Sequence, residues 1–561
     1  MSRFLVSLIM EAILKEQKVS TRRYRLETMM SGSGDFYDGM LSRVQAQDEI
    51  KVKIGIAALM WVSHSERPLR VAELSHALAV EVGSADLDPE NVPSMGTLLN
   101  CCQGLVVVDE EASTVRLIHS TLQEYLSTCR DLFDGAHSTI AETCLTYLNF
   151  QRFKSLSASD LSDPVQTPFL GYSSIYWGTH AKRELSDCAK SLALKLFDDY
   201  DGHISIKLLL KHVSNPGRFD DSKDLPSFTG LHCASFFGIL EVVAVLVEMN
   251  GCDINQIDCV GNTPLMWAAV NGHERVVELL LGQDYVNPNK PDFDGRTPLL
   301  MAAQNGNEEV AKLLLCRDDV NPDRLDVEGQ TPLSWAARNG YKGIVKTLLY
   351  RGDVNPDRLD AEGRTPLSWA AQNGYEGIVK MLLYRDDVNP DRPDTESQTP
   401  LSWAARNGHE RIVKLLLCRD DVNPNSPATE GQTPLSWAAR NGHEGIVKML
   451  LHRDNVNPDG LDTEGQTPLS WAARSDHEGV VKLLPGRGYV NLDRPETEDW
   501  TPPSGAAEKG HGGAANLLRK RKDVTPDILD RASHATSRKR AKPILPSHHL
   551  YDTEPHDPAA T

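Results

Sequence analysis

Over residues 226–520 the apolar and polar positions return in the same order every 34 residues. Thr marks the register, at 229, 263, 297, 331, 365, 399, 433, 467 and 501. The unit is clearest in TPLSWAARNGHEGIVKMLLH, which starts at Thr433. Thr433 followed by Pro434 predicts a helix start, because the hydroxyl accepts an orphan amide and Pro has none to lose. Leu435, Ala438 and Ala439 fall on one face of that helix at i, i+3 and i+4. Asn441-Gly442 ends it, since Gly enters the left-handed conformation of a tight turn without steric cost. Ile446, Val447, Leu450 and Leu451 mark the buried side of a second helix. The polar run from Asp454 to Asp459 then predicts an extended finger. The predicted unit is helix, turn, helix, finger, and it can bury its core only against its neighbours.

A large side chain recurs on the first helix: Trp267, Trp335, Trp369, Trp403, Trp437 and Trp471, with Met301 at the remaining step. At about 100° per residue it lies about 200° from the Leu of its own helix, away from the intra-repeat core. Two roles fit that direction. The indole packs against a neighbouring repeat, or it lines an open groove where its rigid area and single donor suit recognition. Duplication can spread a residue through near-identical copies, so repetition does not choose between them. The end copies are degenerate: Ser475-Asp476 replaces Asn-Gly, and Pro485 stands where a second-helix Leu belongs. Pro removes a backbone donor and clashes with the preceding turn, which predicts fraying from about residue 485.

The first 225 residues do not repeat. Residues 51–62 and 68–82 have helical periodicity, and GLVVVDEEASTVRLIHSTLQEYL reads as strand, acidic turn, strand and helix. Residues 136–150 and 171–182 predict two more helices. His119 precedes the helix of STLQEYL, with Ser120 or Thr121 as its expected cap.

The 34-residue unit resembles the ankyrin repeat. A tetratricopeptide unit has the same period but fills it with two longer helices, leaving no room for a finger. The departures are mostly a Ser or Met where the family usually has His after Thr-Pro-Leu, with the His kept only as His232, and a longer finger. The segments RFLVSLIMEAIL, FYDGMLSRV, ALMWVSHSERPLRVAELSHALAV, VRLIHSTLQEYL, AHSTIAETCLTYLNF and YWGTHAK resemble, in this order, the region after the NACHT module of fungal STAND-class, NLR-like proteins. There a winged-helix domain, labelled by similarity to GPI inositol-deacylase, precedes ankyrin repeats. The resemblance implies that the opening segment is the tail of a nucleotide-binding module truncated at its N-terminus.

Charge and motifs narrow the chemistry. The chain of 561 residues carries a net charge of −19, which argues against a protein devoted to gripping phosphates. Residues 51–130 hold six Lys and Arg against ten Asp and Glu, whereas a DNA-reading wing is basic. Residues 226–510 hold 27 against 42, with Asp and Asn dominating the fingers as solvated turn formers or as an acidic edge for basic partners. No run of 18 apolar residues exists for a membrane span, and Glu11 interrupts the short apolar N-terminus, so no signal peptide is expected. Ten cysteines without a CxxC pair fit reduced thiols inside a cell. There is no Gly-Lys dipeptide and hence no P-loop, so the NTPase activity of the resembled family is not carried over. Gly171-Tyr172-Ser173-Ser174-Ile175 lacks the second Gly of a nucleophile elbow. His273, His409, His443 and His477 recur one repeat apart, too far to share a metal, and are expected to pack as turn residues.

These readings predict a mainly α fold, an ankyrin-repeat solenoid preceded by a helical region with a small winged-helix-like domain. The expected domains are a NACHT remnant at 1–50, the winged-helix-like domain at 51–130, a helical linker at 131–225, about nine repeats at 226–520 and a disordered tail at 521–561. The expected function is a non-catalytic scaffold or sensor that binds a protein partner on Trp267, Met301, Trp335, Trp369, Trp403, Trp437 and Trp471. No cofactor, metal, small-molecule substrate, nucleic acid or membrane is expected. The alternatives are the sensing half of a larger NACHT NTPase switch, in keeping with non-self recognition in the resembled family, and a nuclear regulator. The latter would use Arg519, Lys520, Arg521, Lys522, Arg538, Lys539, Arg540 and Lys542 as a split import signal in an otherwise cytoplasmic protein.

Overall fold

The computed structural model describes residues 34–154, 167–198, 200, 202–213, 228–249, 251–487, 490 and 501–519. They fall into two compact units that divide between Asn321 and Pro322. The structure is mainly helical.

The first unit opens with α1 (Gly34–Gln45), α2 (Glu49–His64), α3 (Val71–Ala79), α4 (Met95–Cys101), β1 (Val106–Asp109), β2 (Thr114–Leu117) and α5 (Ser120–Thr128). Side chains fix the helix starts: Asp48 accepts from the amide of Lys51, and Ser94 from that of Thr97. β1 and β2 pair antiparallel, with Val106 opposite Leu117 and Asp109 opposite Thr114. The predicted helix at 68–82 starts later, at Val71, because the chain before it is claimed by the wing. The Leu69 carbonyl accepts from Val115 N at 2.8 Å, and Arg70 bridges Thr114. The cap of α5 also differs from expectation. The His119 ring, not Ser120 or Thr121, takes the role, with Nδ1 accepting from Thr121 N at 3.2 Å.

Next come α6 (Ala136–Leu148), α7 (Gln151–Lys154), α8 (Leu170–Arg183), α9 (Asp187–Phe197) and α10 (Ile204–Val213). An aromatic core joins them to the wing helices: Trp61 meets Phe169 edge-on at 5.4 Å, and Phe169 meets Tyr147 at 5.2 Å. Ser173 and Ser174 are buried inside α8. Trp177 of α8 is buried against Phe197 and, at 5.2 Å, Phe237 of the first repeat. The helical region thereby covers the apolar end that the first repeat would otherwise leave open.

Three helix pairs complete this unit: 230–237 with 240–248, 264–270 with 274–281, and 298–305 with 308–315. The second unit holds six more. Their first helices are Pro332–Asn339, Pro366–Gln372, Pro400–Arg406, Pro434–Arg440, Pro468–Arg474 and Pro502–Glu508. Their second helices are Lys342–Tyr350, Glu376–Leu383, Glu410–Leu417, Glu444–Leu451, Glu478–Leu483 and Gly512–Arg519. Each begins as the sequence predicts where Thr caps it; Thr365 Oγ1, for example, accepts from Ser368 N at 3.1 Å. Leu435, Ala438 and Ala439 are buried against Ile446, Val447 and Leu450. The Ala pair lets successive first helices approach closely.

Polar bonds set the register between neighbouring repeats. Finger turns link through Ala361 N to Glu328 O at 3.0 Å, Thr395 N to Glu362 O at 2.9 Å and Thr463 N to Glu430 O at 2.9 Å. Lower in the fingers, Asp323 Oδ2 accepts from Asn355 N at 2.7 Å and Asp357 Oδ2 from Asn389 N at 3.0 Å. At Pro485 the second helix stops at Leu483 and gives way to a 3-10 turn over Leu484–Arg487.

Candidate functional site

The indoles of the ladder are tied to the fingers that lead into their helices. Trp335 Nε1 donates to Asp326 at 2.9 Å, Trp369 to Asp360 at 3.0 Å, Trp403 to Asp394 at 3.0 Å and Trp471 to Asp462 at 2.8 Å. Trp267 does the same with Asp258 at 2.7 Å. The other oxygen of each carboxylate closes the finger turn. Asp326 Oδ1 accepts from the amides of Glu328 at 3.0 Å and Gln330 at 2.8 Å. These aspartates are therefore not the solvated turn formers or acidic edge expected from composition: Asp258, Asp326, Asp360 and Asp462 are buried and Asp394 is half-buried. Burial holds the Asp258 carboxyl above the usual range against the opposing bond from Trp267.

Two repeats break this scheme. Where Met301 replaces Trp, Asp292 turns instead to Arg296, whose Nε donates at 2.7 Å. At Trp437 the position of the aspartate is Ala428, and the Trp437 Nε1–H has no acceptor among the described residues.

Trp369 and Trp437 are buried, at 4% and 7% exposure, as are Trp267 and Met301; Trp335, Trp403 and Trp471 are half-buried. In the second unit arginines lie between successive rings. Arg338 stands 5.0 Å from Trp335 and 4.3 Å from Trp369. Arg406 stands 5.4 Å from Trp403 and 4.4 Å from Trp437, and Arg440 5.5 Å from Trp437 and 4.2 Å from Trp471. Such spacing is that of cation–π contacts. The structure thus joins Trp335 to Trp369, and Trp403 through Trp437 to Trp471; Gln372 occupies the step between the two runs. Trp267 packs edge-on to Phe236 at 5.4 Å in the first unit.

Arg338, Arg406 and Arg440 have no carboxylate partner among the described residues. Other arginines of the same repeats do: Arg351 pairs with Asp353, Arg385 with Asp387 and Arg419 with Asp421. Every charged residue on the five first helices from 332 to 474 is an arginine. Arg338, Arg406 and Arg440 thus alternate with aromatic faces along the ladder. The reading from sequence missed both the aspartates, nine residues before every Trp of the ladder but Trp437, and the intervening arginines. A recurrent Asp and Arg at fixed offsets from Trp was the available signal.

The turn histidines staple repeats together. His409 Nε2 bonds Gln372 O at 2.9 Å, His443 bonds Arg406 O at 3.1 Å and His477 bonds Arg440 O at 2.9 Å. His273 bonds Phe236 O at 2.8 Å, and burial, helped by the Lys182 charge, pushes it down to about 4. Among the described residues no three acidic, His or Cys side chains come together as a metal site. Among them, too, no helix is long and apolar enough to cross a membrane. Arg519 ends the last described helix; Lys520, Arg521, Lys522, Arg538, Lys539, Arg540 and Lys542 lie outside the described residues, as do the tail and the first 33 residues.

Known families match the chain along the same anatomy. Residues 42–141 match the family described as GPI inositol-deacylase, winged helix domain. Residues 198–292, 231–326, 299–394, 352–428 and 387–459 match ankyrin repeats (3 copies), and 435–484 match ankyrin repeats (many copies). No curated protein matches the chain. The helix–turn–helix–finger units and these matches, which run over 198–484 and so take in half of the 561 residues, establish that the chain belongs to the ankyrin-repeat proteins.

Proposed function

We propose that the chain is a non-catalytic scaffold or sensor that binds a protein partner on the Trp- and Arg-bearing first helices of its repeats. The observation that carries this reading is the set of guanidinium groups on Arg338, Arg406 and Arg440, stacked on indoles and lacking carboxylate partners among the described residues. A cation held over a ring keeps N–H donors for an outside acceptor and has little side-chain freedom left to lose on binding. The Trp bodies beneath are the rigid area that interfaces favour. Genetically placed photocrosslinkers test it. Probes at 338, 406 and 440 should trap a protein in cells, whereas equivalent probes on the exposed second-helix sites 346 and 414 should not. Crosslinks from the second helices alone overturn the reading.

The winged-helix match at 42–141, ahead of the repeats, favours a second reading. In it the chain is the sensing part of an NLR-like, NACHT-driven switch of the fungal STAND class. An immunoblot with antibody against the repeats tests it: a species well above 62.0 kDa with an encoded P-loop supports the switch, and a species at that mass removes it.

A further inference from the structure

We propose that the Trp437 step of this face is a receptor for a carboxylate, and that the partner is an acidic peptide segment. The inference rests on the reading of the first helices as a protein-binding face and names the chemistry that face would recognise. Three deficits meet at one ring. The Trp437 side chain is 7% exposed and its Nε1–H lacks the acceptor that Asp326, Asp360, Asp394 and Asp462 supply to the other indoles of this unit. Arg406 and Arg440 both stand over the same ring, at 4.4 and 5.5 Å, without a carboxylate partner among the described residues. Ala428, where the finger would otherwise bring its own negative charge, brings none.

One group answers all three. A carboxylate has two oxygens with about four acceptor positions, enough for the forked edge of a guanidinium, a second guanidinium and the indole N–H. Charge spacing favours a peptide over a nucleic acid. Arg406 and Arg440 stand one repeat apart, a spacing of about 8–10 Å between cations, the distance between packed helices. A nucleic-acid strand carries a phosphate about every 3.4 Å, and the net charge of −15 over 226–510 repels the excess. An extended peptide rises about 3.3 Å per residue, so acidic side chains three positions apart match neighbouring arginines.

The test is fluorescence anisotropy on the full chain. Its probe is a labelled Gly-Ser peptide with Glu at every third position, with the Gln version and an oligothymidylate of equal length beside it. The Glu peptide should bind and the Gln peptide should not. Arg406→Gln and Arg440→Gln should each weaken binding by roughly tenfold or more, the size of a lost charge-assisted bond. Ala428→Asp is the decisive variant, because it keeps the fold, supplies an internal acceptor to Trp437 and should weaken the peptide by at least about tenfold. Unchanged affinity in Ala428→Asp and in both arginine variants overturns the proposal. Tighter binding of the oligothymidylate overturns it in favour of a nucleic acid. A partner crosslinked from 406 and 440 that the Glu peptide does not displace leaves the scaffold reading standing and removes the carboxylate receptor. Absence of crosslinks from this face removes both.

Discussion

Trp437 stands nine positions after Ala428, whereas every other Trp of the ladder stands nine positions after an aspartate that accepts its N–H. A buried donor without an acceptor costs stability, and a neighbour-matched side chain should recover it. The backbone of the finger already has the right form, since Ala428 N bonds Gln432 O at 2.9 Å as Asp394 N bonds Gln398 O at 3.0 Å. Ala428→Asp is therefore expected to stabilise the chain by about 1–2 kcal/mol, read as a higher urea midpoint of the repeats. A lower midpoint would show that the carboxylate cannot take the position its counterparts hold.

The reverse change removes a hub. Asp360 accepts from Glu362 N at 3.1 Å, Arg364 N at 2.7 Å, Trp369 Nε1 at 3.0 Å and Gln330 Nε2 at 2.7 Å. Truncation to Ala strands several buried donors at once, each with its own desolvation cost. Asp360→Ala should lose about 2–4 kcal/mol of stability, more than the truncation of exposed Asp386, which should fall within about 0.5 kcal/mol. Equal losses at the two sites would remove the aspartate as an anchor of the ladder.

The repeat itself was legible because its signals are local. Thr-Pro at a fixed spacing, apolar pairs at helical offsets and Asn-Gly turns each act within a few residues. The strand–turn–strand over 106–117 was legible for the same reason. The ladder's chemistry was not. Asp360 and Trp369 meet only because the finger folds back on the next helix, and an offset of nine residues spanning turn and helix belongs to no single periodicity. The start of α3 was misplaced for a related reason, since Leu69 spends its carbonyl on the wing rather than on a helix. His119 hid as a cap because a ring acceptor falls outside the usual Ser, Thr, Asp and Asn set.

Gly442 is fixed twice over. Its φ is +75°, and a Cβ there would lie 2.6 Å from the ring of His477, the staple of the following repeat. Gly442→Ala should cost the left-handed penalty of about 1–2 kcal/mol and a steric term besides. Removing the ring in Gly442→Ala/His477→Ala should relieve only the second, so a double-mutant cycle is expected to show coupling of about 1 kcal/mol. Strict additivity would leave the ring contact without energetic weight.

Acid should weaken the first unit before carboxylates begin to titrate. Burial pushes His180 down to about 3 and His203, His232 and His273 to about 4, so the folded chain keeps them neutral. Unfolded, each binds a proton near pH 6.5. Below that value the unfolded state holds more protons than the native one, and stability falls as pH drops from about 6.5 towards 4. His180 is the sharpest case, because its Nδ1 faces Nδ1 of His137 at 2.8 Å and one of the two must be an acceptor. The aspartates that burial raises, Asp258, Asp323, Asp357 and Asp391, act oppositely, because the folded chain protonates them before the unfolded one does. The urea midpoint should therefore decline between pH 7 and pH 5, and His232→Gln should flatten the decline. A midpoint that is level or rising across that interval contradicts the linkage.

Pro485 sets where the array loses cohesion. It occupies the place of Leu451 in the preceding repeat, and the second helix there runs only over Glu478–Leu483 instead of the eight residues of Glu444–Leu451. A shorter helix has fewer internal bonds, and Pro offers no amide to continue it. Amides of 478–484 should exchange with solvent well before their counterparts at 444–450, since each repeat is held only by its neighbours. Pro485→Leu restores the missing donor and a buried methyl-bearing side chain, and so should slow exchange across the last helices as well as its own. Protection at 478–484 equal to that at 444–450 in the unaltered chain would mean that the repeats beyond Pro485 hold it in place from the other side.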